Sequence, residues 1–96
     1  MPENDVANNV AAHQFETRVD GQLALLAYSE RDGVIDMKHT EVPPALEGHG
    51  VGNDLAKAAL EYAREKHLRV IPTCPFVRSY IRRHPQYADL TKVARE

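Results

Sequence analysis

The sequence predicts an α/β (α+β) layer fold, with a mixed sheet that begins as an antiparallel meander and continues as helix, strand, helix. Three observations carry this. Two Asp-Gly pairs punctuate extended runs, a glycine-rich turn opens an amphipathic run, and prolines bracket a short apolar stretch and a second helical one. With 96 residues the chain has room for one small core only, because a domain of this size buries about 60–65% of its unfolded surface. Residues 10–96 are read as that single domain and Met1 to Asn9, polar and carrying Pro2, as a flexible tail.

In chain order, Val10 to Val19, Gln22 to Glu30 and Val34 to Glu41 read as strands joined by Asp20-Gly21 and Asp32-Gly33. Asp-Gly suits a two-residue hairpin because both central residues must take positive φ. On the middle strand Leu23, Leu25 and Ala27 fall on one face and Ala24, Leu26 and Tyr28 on the other, which predicts a central strand covered on both sides. Val42-Pro43-Pro44 stops the third strand. A helix is predicted from about Asn53 to His67, its apolar stripe formed by Val51, Leu55, Ala59, Tyr62 and Ala63. Arg69-Val70-Ile71 is a short buried strand. Pro75 opens a second helix with Phe76, Val77, Tyr80 and Ile81 inward, and Tyr87, Leu90 and Val93 pin the remainder.

Composition narrows the function. Twelve basic residues against 14 acidic ones give a charge of -2, which lacks the basic excess that displaces counterions from nucleic acid. No apolar run is long enough to span a bilayer and the start is not signal-like, so a cytoplasmic protein is expected. The single cysteine, Cys74, excludes a disulfide framework and a multi-cysteine zinc site, and the five histidines show no paired ligand spacing; no metal is expected.

The glycine turn Gly48-His49-Gly50-Val51-Gly52 is the feature that carries chemistry. Unpaired N–H groups at a helix start, at the positive end of the helix dipole, bind anions. A nucleotide P-loop is excluded because no Lys-Ser/Thr follows, and a dinucleotide fingerprint because its third glycine position is Asn53. Unaided, the pattern also fits a purely structural turn.

Glu47-Gly48-His49-Gly50-Val51-Gly52 resembles the Gln/Arg-x-x-Gly-x-Gly/Ala signature of the GNAT (GCN5-related) N-acetyltransferase superfamily. Gly50 and Gly52 match its small positions; Glu47 departs from Gln/Arg and is expected to point away from the anion. His39-Thr40-Glu41-Val42-Pro43, Ile71 to Val77, Tyr80-Ile81, His84-Pro85 and Tyr87 resemble the NATD1-like subfamily, a minimal GNAT fold without the early helices and closing strands, from about Phe15 to Leu90.

The resemblance implies acetyl-coenzyme A (acetyl-CoA) as cofactor and acetyl transfer to an unidentified amine by direct attack in a ternary complex. Thr40, Val42, His49, Gly50, Val51, Gly52 and Asn53 would bind the cofactor. Glu41 or His39 would serve as base, Cys74 as base, donor or acetyl acceptor, and Tyr80 as donor to the leaving thiolate; each also has an ordinary structural reading, solvated strand end, buried small residue or core ring. Arg78, Arg82 and Arg83 form a basic face that either meets the phosphates or is simply solvated. The alternative function is a non-catalytic acyl-CoA or CoA binding or sensing module. No nucleic-acid or membrane partner is expected, and the chain is read as a monomer or weak dimer.

Overall fold

The structure, a computed structural model, describes residues 5–92. Five strands form one sheet in sequence order: β1 (Ala7–Asn9), β2 (Gln14–Val19), β3 (Gln22–Arg31), β4 (Val34–Glu41) and β5 (Arg69–Ile71). The first four run antiparallel and β5 lies parallel to β4 after the crossover helix α1 (Val51–Glu65). Helix α2 (Pro75–Arg83) and a 3-10 segment, Pro85–Thr91, follow. The mixed sheet with its meander and its helix-strand-helix close is the predicted architecture.

Both Asp-Gly pairs make the tight hairpins expected of them: Asp20 and Gly21 have φ of 51° and 77°, Asp32 and Gly33 of 55° and 79°. The first strand is corrected. Val10–Ala12 is a 3-10 turn, because the Asn9 side chain accepts from the Ala12 N–H at 3.2 Å and His13, at φ 58°, closes the turn left-handed. The chain before it is not all tail: Ala7–Asn9 pairs with Gln14–Glu16, held by Thr17 Oγ1 donating to the Asp5 carbonyl and Tyr28 OH donating to Asn8 Oδ1. Met1–Asn4, the start of the expected tail, and Val93, an expected anchor, lie outside the described residues.

Helix α1 starts at Val51, two residues earlier than predicted, because low-propensity Gly52 sits inside its first turn. It ends at Glu65 with His67 in the left-handed conformation and the Leu68 N–H on the Ala63 carbonyl at 2.8 Å, a closure usually supplied by glycine. Its buried face (Val51, Leu55, Ala56, Ala59, Leu60, Ala63) joins Phe15, Ala24, Leu26, Tyr28, Ile35 and Met37 of the sheet in one core, completed by Val70, Val77, Tyr80, Ile81, Tyr87 and Leu90. The expectation that β3 is covered on both sides is corrected. Leu23, Leu25 and Ala27 are only half-buried, as are Gln14 and Glu16 beside them, so among the described residues helices cover one face of the sheet and leave the other open.

The C-terminal segment is pinned as foreseen through Tyr87 and Leu90. Tyr87 OH donates to Glu61, and Arg64 grips Asp89 with both terminal nitrogens, at 3.1 and 3.2 Å, and the Gln86 carbonyl at 2.6 Å. Burial, and then the bond to Glu61, pushes the Tyr87 hydroxyl up to about 12. A group that holds its proton more tightly when folded stabilises the fold fully below its unfolded value, about 10, and loses that contribution as pH rises through 12. Thermal stability is expected to fall between pH 10 and 12. Melting curves of Tyr87→Phe are expected to show a shallower fall, by up to about 1.4 kcal/mol per pH unit.

Candidate functional site

The site is built where the sheet comes apart. β5 pairs with β4 only from Val34 to Asp36, and one further backbone hydrogen bond, the Cys74 N–H on the Met37 carbonyl at 2.9 Å, crosses that seam. Beyond it the β5-side edge of β4, Lys38 to Glu41, has no strand beside it among the described residues. Pro72 and Pro75 account for the parting, since neither can donate to a ladder and each constrains the residue before it.

A β-bulge aims the side chains there. Met37 lies opposite Tyr28 and His39 opposite Ala27, so Lys38 is an extra residue in β4. Without it, strict alternation would place Thr40 on the open face and His39 and Glu41 toward the core. With it, Thr40 turns inward, its Oγ1 3.5 Å from Cys74 Sγ, while His39 and Glu41 turn outward with His39 Nε2 2.9 Å from Glu41 Oε2.

The opposite wall is the start of α1. Pro43 and Pro44 lead into a 3-10 turn, Pro44–Leu46, and the chain then reverses through Gly48 and Gly50 at φ of 86° and 78°. No side chain caps the helix. The first N–H to find a helical partner is that of Asp54, on the Gly50 carbonyl, which leaves the Val51, Gly52 and Asn53 N–H groups without intrahelical acceptors. A Cβ at Gly48 or Gly50 would meet nothing within 4 Å, so these glycines serve the backbone angle and leave the space before the helix open. Gly52 has a different reason. A Cβ there would stand 2.9 Å from Phe76 Cζ, so the glycine lets the ring of α2 close against α1.

Between these walls lies a cleft of about 810 Å³, within the roughly 300–1,000 Å³ usual for small-molecule sites. Thr40, Glu41, Val42 and Pro43 line one side, Gly50, Val51, Gly52 and Asn53 the other, and Leu23, Leu46 and Phe76 give it apolar surface. Of the predicted cofactor residues, Thr40, Val42, Gly50, Val51, Gly52 and Asn53 are in this wall; His49 is not. Of the predicted catalytic residues only Glu41 lines it. His39 reaches the cleft through Glu41. Cys74, 3% exposed, lies behind Thr40, and Tyr80 is in the core, stacked on His84 with ring centroids 4.0 Å apart. Arg78 donates to the Pro72 and Thr73 carbonyls, securing the turn into α2 rather than facing the cleft.

Glu47 is among the residues lining the cleft, so the acidic residues of the lining are Glu41 and Glu47, and the lining includes no lysine or arginine. One correction concerns a residue read from pattern alone. Phe76, placed in the core by its spacing on α2, is 36% exposed and forms a wall of the cleft. Among the described residues no group of three or more His, Cys, Asp or Glu is placed to hold a metal, and no helix is long and apolar enough to cross a membrane.

A four-stranded antiparallel sheet, a parallel fifth strand that parts from it, and an uncapped glycine-led helix at the parting define a minimal GNAT-type domain. Comparison with known proteins agrees: the GCN5-related N-acetyl-transferase family matches residues 14–90, and the chain belongs to that family. It is similar to Protein NATD1 of Homo sapiens, 40% identical over 82 residues that span 79% of this chain and 72% of that one. Protein NATD1 of Danio rerio is 34% identical over 90 residues, 88% of this chain and 81% of its own. The solution structure of a GCN5-like protein from Staphylococcus aureus superposes with a TM-score of 0.72 at 29% identity, covering 100% of this chain and 95% of that one.

Proposed function

We propose that the protein is an acetyl-CoA-dependent N-acetyltransferase. The observation that carries this is the convergence of an unpaired stretch of β4 backbone and an uncapped helix N-terminus on one cleft. The residues fit the cofactor: free N–H groups of Val51, Gly52 and Asn53 suit a pyrophosphate, and the positive-φ turn keeps side chains out of its way. The exposed edge at Lys38–Glu41 offers donors and acceptors to an amide-bearing arm, with Val42, Leu46 and Phe76 for its apolar parts.

Acetyl-CoA, when bound, supplies an acetyl group on a thioester; an ammonium that takes it becomes an amide and releases the CoA thiol and one proton. The chain must therefore remove a proton from the amine. We assign that role to Glu41: it lines the cleft, and its pairing with His39 would orient the carboxylate and lead the proton out to solvent. Cys74 acts indirectly. Its sulfur holds Thr40 Oγ1 from behind, which sets the inner wall of the cleft.

Calorimetry with CoA, followed by thiol release from acetyl-CoA in the presence of amines, tests the reading. Binding with thiol release supports it. Binding without release from any amine supports the non-catalytic CoA module. Because Glu47 is the acidic residue beside the cradle, Glu47→Gln is expected to strengthen CoA binding roughly three- to fivefold, the size of a charge effect at a partly exposed helix start.

A further inference from the structure

We infer that the open face of the sheet docks a polypeptide partner, and that the amine acetylated is a lysine side chain of that partner lying over Leu25 between Glu16 and Glu41. This rests on the acetyl-transfer reading above. It adds where the acceptor comes from and what recognises it.

The strand register writes the surface out row by row. Glu16 of β2, Leu25 of β3 and Glu41 of β4 stand opposite one another, and the next row is Gln14, Ala27 and His39. With strands about 4.8 Å apart, the two carboxylate-bearing residues are about 10 Å apart at the backbone, astride a leucine. Both carboxylates are held in place. Glu16 accepts from Asn9 Nδ2 at 3.2 Å and Gln14 Nε2 at 2.7 Å, and Glu41 is paired with His39. Arg18 stands one row further along, beside Leu23, and Lys38, the bulged residue, pairs with no residue of β3 and belongs to neither row.

This pattern is complementary to one kind of group. A lysine side chain has an apolar stem that can lie along Leu25 and Ala27 and an ammonium that both carboxylates attract. The surface is also continuous with the cofactor cleft, since Leu23 and Glu41 line both. A free small amine is a poor match, because small-molecule sites are concave and this face is a sheet surface that no described element closes over. A polypeptide laid along Leu23, Leu25 and Ala27 would cover that half-buried apolar stripe while presenting its lysine at the cleft mouth.

The test uses the whole protein with acetyl-CoA and three acceptors: a peptide with one lysine flanked by valine and leucine, the same peptide with glutamate flanks, and spermidine. The apolar-flanked peptide is expected to be acetylated with kcat/KM at least tenfold above the other two. Leu25→Arg and Glu16→Lys are each expected to raise its KM tenfold or more, while calorimetric affinity for CoA stays within twofold of the unaltered protein, which also reports that the variants are folded. Preference for spermidine, equal use of both peptides, acetylation confined to the chain's own lysines by intact mass, or an unchanged KM in both variants would overturn the docking proposal alone. Failure of the unaltered protein to bind CoA, or binding with no turnover of any acceptor, would overturn the transfer reading and this inference with it.

Discussion

Gly50→Glu is expected to weaken CoA binding by about two orders of magnitude or more, the largest effect of any single substitution in the cofactor half of the site. Strain and charge both contribute. Gly50 has φ 78°, a left-handed geometry that costs a side-chain-bearing residue about 1–2 kcal/mol, and this lowers the melting temperature by several degrees in a domain of this size. Charge repulsion contributes more. A Cβ at Gly50 enters open space in front of α1, so the new carboxylate occupies the region toward which the Val51, Gly52 and Asn53 N–H groups present their positive ends. Two negative charges about 4 Å apart near a protein surface repel by roughly 4 kcal/mol, ample for a hundredfold loss. Gly50→Asn separates strain from charge, because asparagine tolerates left-handed geometry and is neutral. It is expected to retain affinity within about tenfold, measured by calorimetry against the same CoA stock.

The second large effect is on turnover. Glu41→Gln keeps the shape of the side chain and removes its capacity to take a proton, so the rate of thiol release is expected to fall by about 10²–10⁴, the usual contribution of a positioned acid-base group. CoA affinity is not expected to fall, since the change removes a negative charge from a cleft that also contains Glu47. His39→Ala is the informative partner variant. His39 touches the cleft only through Glu41, and the pair is more than half exposed, so a loss of no more than about tenfold is expected. A loss equal to that of Glu41→Gln would reassign the proton transfer to the imidazole.

How much of this could be read from the residue order differs from feature to feature, for physical reasons. The hairpins were readable because Asp20-Gly21 and Asp32-Gly33 have few other conformational uses between extended runs, and the glycine-led helix start because Gly48 and Gly50 precede a strongly amphipathic run. The bulge at Lys38 was not readable, since nothing local distinguishes it from its neighbours. Yet it decides that Thr40 faces Cys74 and that His39 and Glu41 face out. The short β1 was hidden because its three residues are polar or small and its pairing depends on distant partners, Tyr28 and Thr17. Apolar alternation placed Leu23, Leu25 and Ala27 under a second layer, whereas the fold leaves them half-buried. Spacing likewise put Phe76 and Tyr80 on one helical stripe, and only the approach of Gly52 separates the cleft ring from the core ring.

Titrating CoA into isotope-labelled protein and following every backbone amide by NMR shows whether the unpaired β4 edge and the start of α1 together hold CoA, as proposed. The amides of Gly50, Val51, Gly52 and Asn53 and those of residues 38–42 are expected to shift together and saturate at one concentration, while amides in the β3–β4 hairpin around Asp32, at the far end of the sheet from the cleft, stay in place. No saturable change in either group, or changes confined to a surface elsewhere on the domain, would contradict it.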